Sequence, residues 1–202
     1  MIIYKLRQSV KEGGGFLKND LRVTLTRRML REALLRLLPQ KPLSRITVSE
    51  LCREAGVNRV TFYNHFETPA AILRGLAWEY AERLRDIYDE SRRQQLSEEA
   101  ALETCLSYLF ARKSEIKVLF SDNAENTIGG YCLDIVSGFL EDGEGLRETE
   151  PRENDTDRFL YAVTSASAAY GLIQVWMTKD VDKTPKEIAA ILKRTMVNVI
   201  FT

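Results

Sequence analysis

The helical spacing of apolar residues is the strongest constraint on the fold of this chain. Between positions 25 and 38, apolar residues recur at steps of four, one and three, as on the buried face of an amphipathic helix. Thr24 or Thr26 is the expected cap of this helix, and Pro39 ends it. Comparable patterns continue along the chain, and no segment shows the period-two alternation of a half-buried strand. The sequence therefore predicts an all-α fold.

Two short helices are predicted after the first one. The sequence TVSE forms a capping box, in which the Thr47 hydroxyl accepts the amide of Glu50 and the Glu50 side chain reaches back. Gly56 supplies the left-handed residue that stops this helix. Asn58 is a good cap for the next helix, which runs to about His65. Two short helices around a glycine turn, preceded by an amphipathic helix, form a helix-turn-helix arrangement.

The rest of the chain is predicted to form further helices. Thr68 caps one of them, with Pro69 at its first position and its end near Arg93. A second capping box, Thr184 to Glu187, opens the last helix. Other helices are expected after Ser97, after Ser114, over 127–140 and from Asp157, with an acidic loop over 141–157.

The second short helix carries residue types that suit DNA recognition. At 100° per residue, four of its side chains lie within an arc of about 140°. These are Arg59, Val60, Tyr63 and Asn64. Phe62 lies well off that arc, where the preceding helices can bury it. Because the second helix of such a motif lies in the major groove, we expect this arc to face DNA.

The predicted contacts follow from the chemistry of each side chain. Arg59 can bond a guanine in bidentate fashion, Asn64 can pair with an adenine, and Val60 can contact a thymine methyl group. Three further side chains can donate to phosphate oxygens, which fixes the register without reading the sequence. These are Thr61, Tyr63 and His65. The remaining predicted DNA contacts are Arg27, Arg28, Thr47, Ser49 and Asn58.

The charge of the chain is unevenly distributed, although the net charge is zero. Residues 1–66 contain 13 Lys and Arg against 5 Asp and Glu, whereas residues 67–202 contain 16 against 24. Such asymmetry is expected where one end of a protein binds a polyanion. Chance clustering in a flexible basic N-terminal arm, residues 1–22, is the alternative. Residues 21–66 alone, however, keep 9 basic against 3 acidic side chains.

The segment ITVSELCREAGVNRVTFYNHF, residues 46–66, resembles the DNA-binding signature of TetR/AcrR-type transcriptional regulators. The matching positions are Thr47, Leu51, Ala55, Gly56, Val57, Thr61, Phe62, Tyr63, His65 and Phe66, with leucine where the pattern usually has an aromatic residue. The resemblance covers about Val23 to Trp78 and implies the same base-facing and phosphate-facing residues as above. Pro69 stands where the family usually has a phosphate-binding lysine. That contact is therefore either missing or taken by Thr68 and backbone amides.

The resemblance also implies the organisation of the chain. It implies a helix-turn-helix domain over 23–68 and a helical effector-binding and dimerisation domain over 69–202, whose last two helices pair with those of a second copy. A two-fold homodimer matches the two half-sites of a palindromic operator, about 34 Å apart. Packing of these helices within one subunit is the alternative. The candidate interface residues are Ala169, Leu172, Trp176, Ile188, Ile191 and Leu192.

An effector is expected to bind between the middle helices. The aromatic side chains available to line its pocket are Tyr108, Phe110, Phe120, Tyr131, Phe139, Tyr161 and Tyr170. An effector that prefers the form with the wrong separation of recognition helices would release the operator, as expected for a repressor. A small molecule, a protein partner and the absence of any effector all remain open alternatives.

Other functions have less support in the sequence. Because His65 is the only histidine and no phosphate-binding loop or metal motif is present, we expect neither an enzyme nor a bound metal or cofactor. A DNA-binding protein with an architectural role remains an alternative. The three separated cysteines are typical of a reduced compartment. No signal peptide is expected, and no apolar run approaches the roughly 18 residues of a membrane span. A cytoplasmic protein without membrane partners is therefore expected.

Overall fold

The computed structural model describes residues 17–124 and 155–200, with side chains at 23–124, 160 and 163–195. Every regular element within these ranges is helical, so the predicted all-α fold is confirmed. The first three α-helices, which we call the head, are α1 (Leu17–Leu37), α2 (Val48–Ala55) and α3 (Arg59–Tyr63). A short 3-10 helix, Leu43–Arg45, lies between α1 and α2.

The remaining described helices form a second group, which we call the body. They are α4 (Pro69–Arg93), α5 (Glu98–Phe110), α6 (Lys113–Leu119), a 3-10 helix (Asp122–Ala124), α7 (Asp155–Thr178) and α8 (Pro185–Ile200). Helix α4 packs on α1 and α5, α8 packs on α5 and α7, and α6 lies against α1, α5 and α7. The head therefore contacts the body through α4 and α6. In the part of the chain described, no helix is both long and apolar enough to cross a membrane.

The first helix begins earlier than predicted. It starts at Leu17, so that Thr24 and Thr26, the predicted caps, lie inside it, and residues 17–22 of the predicted flexible arm are helical. Neither glycine nor proline interrupts the sequence from residue 17 to the apolar repeat. The backbone can therefore remain helical beyond the stretch that the core requires. Leu25 is exposed, and the fully buried face begins at Leu30.

The apolar stripe of α1 forms the centre of the head. Leu30, Leu34 and Leu38 are fully buried, and Leu51 and Phe62 belong to the same cluster. Burial of one such side chain stabilises the fold by about 1.5–3 kcal/mol. Helix α3 has only 5 residues, and isolated helices of this length are not stable in water. Burial of Phe62 in this cluster is therefore the main interaction that holds α3 in place.

The second predicted capping box is confirmed at the start of α8. The amide of Glu187 donates to Thr184 Oγ1 at 3.3 Å, and the amide of Thr184 donates to Glu187 Oε2 at 2.9 Å. Hydrogen bonds from Lys183 and Thr184 lower the pKa of Glu187 to about 2. The predicted helix over 127–140 and most of the predicted loop over 141–157 lie outside the described residues.

Candidate nucleic-acid interface

The start of α2 is fixed by the predicted capping box. The amide of Glu50 donates to Thr47 Oγ1 at 3.2 Å. The Glu50 carboxylate accepts a hydrogen bond from Lys41 Nζ at 2.5 Å. The pKa of Glu50 is lowered chiefly by this hydrogen bond and, to a smaller extent, by the backbone amide of Thr47. Because the Thr47 hydroxyl accepts in the cap, its own hydrogen is still able to donate to a phosphate.

A tight turn connects α2 to α3. Gly56 has φ 69° and ψ 28°, the left-handed conformation that glycine adopts without steric cost. The amide of Val57 donates to the carbonyl of Cys52 at 3.0 Å, so the turn satisfies a carbonyl at the end of α2. Asn58 then caps α3, because its Oδ1 accepts the amide of Thr61 at 2.7 Å. The helix-turn-helix is therefore held by local hydrogen bonds on both sides of the turn.

The outer face of α3 displays the predicted set of side chains. Val60 is 71% exposed and Tyr63 is 60% exposed, and Arg59 and Asn64 are exposed beside them. Phe62 is completely buried on the opposite side. An apolar side chain as exposed as Val60 contributes little to the stability of the head itself. This face is therefore available to a partner, although the individual DNA contacts remain predictions.

Arg59 is not a freely moving cation. Its Nη2 donates a hydrogen bond to Ser49 Oγ, so a residue at the start of α2 holds the guanidinium at the N-terminal end of α3. Ser49 was predicted to contact a phosphate. The Ser49 hydroxyl accepts from Arg59, so its own hydrogen can still donate, and its phosphate contact remains a prediction.

The predicted phosphate contacts lie around the end of α3. Thr61 and His65 are half-buried. Burial and, as a smaller effect, the charge of Arg27 lower the pKa of His65. The guanidinium carbon of Arg27 lies 5.9 Å from the ring centroid of Phe66, three residues before Pro69. This arginine of α1 therefore lies beside the residue that follows His65.

Other arginine side chains of the head form ion pairs with acidic side chains of the head. Arg28 Nε donates to Glu32 Oε1 at 2.7 Å on the exposed surface of α1. Arg36 Nε donates to Glu54 Oε1 at 2.6 Å and links α1 to α2. Such exposed pairs contribute little to stability. They do, however, orient acidic side chains towards cations of the head.

Comparison with known protein families identifies the family of this chain. Residues 30–76 match the family described as "Bacterial regulatory proteins, tetR family", and residues 97–198 match the TetR-type "Transcriptional regulator C-terminal region". The chain belongs to the TetR family of transcriptional regulators. It is therefore a DNA-binding regulator with a helix-turn-helix domain at its N-terminal end. No curated protein matches this TetR-family chain significantly.

Solved structures of other transcriptional regulators, two of them described as TetR regulators, share its fold. The regulator from Syntrophomonas wolfei is 15% identical with a TM-score of 0.58, over 88% of this chain and 95% of that one. A regulator from Rhodococcus sp. RHA1 is 16% identical with a TM-score of 0.52, over 90% and 97%. FadR from Bacillus subtilis, in complex with stearoyl-CoA, is 15% identical with a TM-score of 0.51, over 86% and 97%. At these identities the likeness shows the fold alone.

The predicted pocket residues occur in three ring contacts within the described body. Tyr108 contacts Tyr80, Phe110 stacks on Trp176, and Phe120 contacts Tyr170, with ring centroids 6.1, 5.2 and 5.2 Å apart. Phe110 is also partly exposed, so it is less well placed than predicted to line a closed pocket. Three other candidates lie outside the described side chains: Tyr131, Phe139 and Tyr161.

The predicted dimer interface is wrong at three positions. Trp176, Ile188 and Leu192 are buried inside one subunit, because α8 packs against α5 and α7. The Trp176 Nε1 also donates to the carbonyl of Lys183 at 2.9 Å. The apolar pattern was correct, but the same chain supplies the surface that covers it. The other candidates on that list, Ala169, Leu172 and Ile191, are half-buried against the core of the subunit.

Proposed function

We propose that this TetR-family protein is a repressor that binds a palindromic operator as a homodimer and leaves it when an effector binds the body. The exposed face of α3 is the observation that carries the proposal. It places a cation, an amide and an apolar side chain side by side, and these groups suit guanine, adenine and the thymine methyl. In this role the protein acts by binding, without catalysis, in the cytoplasm.

The DNA contacts divide into two groups under this proposal. Arg59, Val60 and Asn64 read bases from the major groove. The other predicted contacts reach phosphates: Arg27, Arg28, Thr47, Thr61, Tyr63 and His65 directly, and Asn58 through its amide NH2 group, since its oxygen caps α3. Ser49 acts through Arg59. Because phosphate contacts release counterions, the affinity should fall steeply as salt is raised.

One face of α7 supports the proposed dimer. Leu160 is 53% exposed and Val175 is 47% exposed, and three small residues, Thr164, Ser167 and Gly171, follow at helical steps between them. The hydroxyls of Thr164 and Ser167 donate to carbonyls of their own helix at 2.8 and 2.7 Å, so burial would leave neither hydroxyl unsatisfied. A Cβ atom at Gly171 would meet nothing within 4 Å. A second copy can therefore approach α7 closely along this stripe.

A small molecule is the effector we favour. FadR from Bacillus subtilis, which has the same fold, was solved with stearoyl-CoA. In the present chain the ring contact between Phe120 and Tyr170 joins the end of α6 to α7, and we place one wall of the effector site there. Release of the operator by an acyl-CoA series would support this assignment, whereas release only by a protein from the same cell would favour the alternative.

Selection of bound duplexes from a random pool tests the proposal. The wild-type protein should enrich one palindrome. Arg59→Ala should cost about 1–3 kcal/mol at that sequence and relax the preference at one base pair of each half-site. If Arg59→Ala enriched the same sequence with the same affinity, the assignment of the reading face would be wrong.

A matched pair of surface variants tests the dimer. Val175→Lys should dissociate the dimer and abolish operator binding, because it would place a charge within the proposed interface on α7. Leu96→Lys is the control, since Leu96 is similarly exposed, at 43%, but lies in the turn between α4 and α5. Sedimentation velocity measures the association state. A Val175→Lys protein that remained dimeric would show that the interface lies elsewhere.

A further inference from the structure

One arginine of the head is engaged entirely by the body. Arg31 lies on α1, and its Nη1 donates to Glu79 Oε2 of α4 at 2.6 Å. Its Nη2 donates to Glu115 Oε1 of α6 at 2.7 Å. A guanidinium is planar and presents its donors in a rigid fork. A single side chain of the head is therefore held in a fixed direction by two different helices of the body.

The environment of this bridge favours a lasting contact. The side chains of Arg31 and Glu115 are only 31% and 26% exposed, so water screens this pair less than it screens a surface pair. Glu79 is 65% exposed, so the pair with Glu115 is the stronger half of the bridge. Burial by itself lowers the pKa of Arg31, but its hydrogen bond and the charges of Glu115 and Glu79 outweigh burial and raise it. Tyr80 of α4 lies beside the Glu115 carboxylate. Burial, and to a smaller extent the charge of Glu115, raise the pKa of Tyr80.

A second contact between the head and the body lies at the end of α1. The Nδ2 of Asn123, just after α6, donates to the carbonyl of Leu38 at 2.8 Å. This carbonyl lies at the end of α1, where helical carbonyls lack partners within the helix. Seven residues separate Arg31 from Leu38, which is about 10 Å along a helix. Between the two contacts, Ile116 and Leu119 of α6 are buried in the same core as α1. Two anchors at that separation resist both sliding and rotation of the head.

We propose that Arg31 is a positioning residue for operator binding: its bridge to Glu79 and Glu115, together with the bond from Asn123 to Leu38, fixes the angle of the head on the body. Although Arg31 belongs to the basic part of the sequence, it does not contact DNA. In the dimer this angle sets the distance between the two α3 helices. The inference rests on the proposed dimeric binding of a palindrome.

The spacing of the half-sites is the property that such a bridge controls. Each added base pair moves one half-site by about 3.4 Å and rotates it about the DNA axis, since a full turn takes about 10 base pairs. A rigidly held head cannot follow that movement, whereas a loosened head can. The bridge therefore makes operator binding selective for one spacing without changing which bases are read.

The test measures the affinity for operators whose half-sites are one or two base pairs closer or further apart than in the selected palindrome. Two variants break the bridge from opposite sides: Arg31→Met, which keeps the apolar stem, and Glu115→Gln, which leaves the head unchanged. For each, the ratio of affinities for the preferred spacing and for one extra base pair should fall by about 2- to 30-fold, the range found for residues that couple sites without touching a ligand. Arg36→Met is the control, because it breaks an ion pair within the head and should keep the wild-type ratio.

The outcomes separate the inference from the function on which it rests. A loss of affinity by the same factor at every spacing would mean that Arg31 only stabilises the fold, and the inference would fail. The same conclusion follows if Arg36→Met flattens the spacing profile as much as Arg31→Met does. A wild-type protein that enriches no palindrome, or binds all spacings equally, would contradict the proposed dimeric function itself and remove the inference with it.

Discussion

Lowering the pH from 7.5 to 5.5 should strengthen operator binding through His65. In the free protein, burial and then the charge of Arg27 lower the pKa of this histidine from its usual 6.5. A phosphate beside the ring would act in the opposite direction, because an anion favours the imidazolium form. Binding should therefore be accompanied by proton uptake, and the affinity should rise as the pH falls.

The size of the effect follows from the charge interaction. A phosphate about 4 Å from an imidazolium contributes about 1 kcal/mol in water and up to about 4 kcal/mol at the effective dielectric near a protein surface. His65 is half-buried, so the lower value is a reasonable minimum. About 1 kcal/mol corresponds to roughly fivefold in affinity for each subunit and roughly 30-fold for a dimer with two such contacts.

The stability of the free protein should depend on pH with the opposite sign. The unfolded chain binds a proton at His65 near pH 6.5, whereas the folded chain binds it only below its lowered pKa. Between these two values the unfolded state carries more protons, so the free energy of unfolding decreases as the pH falls through that window. Above pH 6.5 this contribution to stability is fully present. Acid should therefore weaken the fold slightly while it tightens binding.

Fluorescence anisotropy titrations at constant ionic strength, with wild type and His65→Gln, measure this effect. Glutamine keeps a hydrogen-bond donor but does not titrate. Since the chain contains one histidine, the variant removes the only side chain with an ordinary pKa in this range. If His65→Gln retained the full pH dependence, or if wild-type affinity decreased as the pH fell, the placement of His65 beside a phosphate would be refuted.

Three further predictions concern residues around the reading helix and the interface. Ser49→Ala should weaken the preference for the base pair read by Arg59 but leave the salt dependence unchanged, as competition among operator variants would show. Gly56→Ala should lower the free energy of unfolding in urea by about 1–2 kcal/mol, because a side chain at φ +69° is strained. Gly75→Ala and Gly171→Ala both fill open space within helices, so each should stabilise the subunit by about 0.5–1 kcal/mol. Only Gly171→Ala should weaken dimerisation, and equal dissociation constants in sedimentation would contradict the α7 interface.

The local structure of the helix-turn-helix could be predicted because each signal acts over a few residues. The hydroxyl of Thr47 and the amide oxygen of Asn58 each bind an amide three positions later. Gly56 acts through its own backbone angles. The burial of Phe62 follows from the 100° step of a helix, which places it off the arc of Arg59, Val60, Tyr63 and Asn64. None of these inferences needed knowledge of how distant segments pack.

Contacts between distant segments could not be predicted in the same way. An apolar helical face shows that something covers it, but it does not show whether the cover comes from the same chain. Trp176 and Ile188 were therefore assigned to the dimer, although α5, α7 and α8 bury them within the subunit. The partners of Arg31 lie 48 and 84 positions away in sequence, and no local pattern relates these positions.

We therefore assign different functions to the basic residues of the head despite their common charge. Arg27 lies at the proposed phosphate surface, whereas Arg31 is held by the body. Arg27→Met should reduce the slope of log affinity against log salt by about one unit per subunit and affect all half-site spacings equally. Arg31→Met should leave the slope nearly unchanged and alter the spacing preference instead. If Arg27→Met and Arg31→Met both changed only the salt slope, or both changed only the spacing preference, the division into a DNA-binding and a positioning arginine would be wrong.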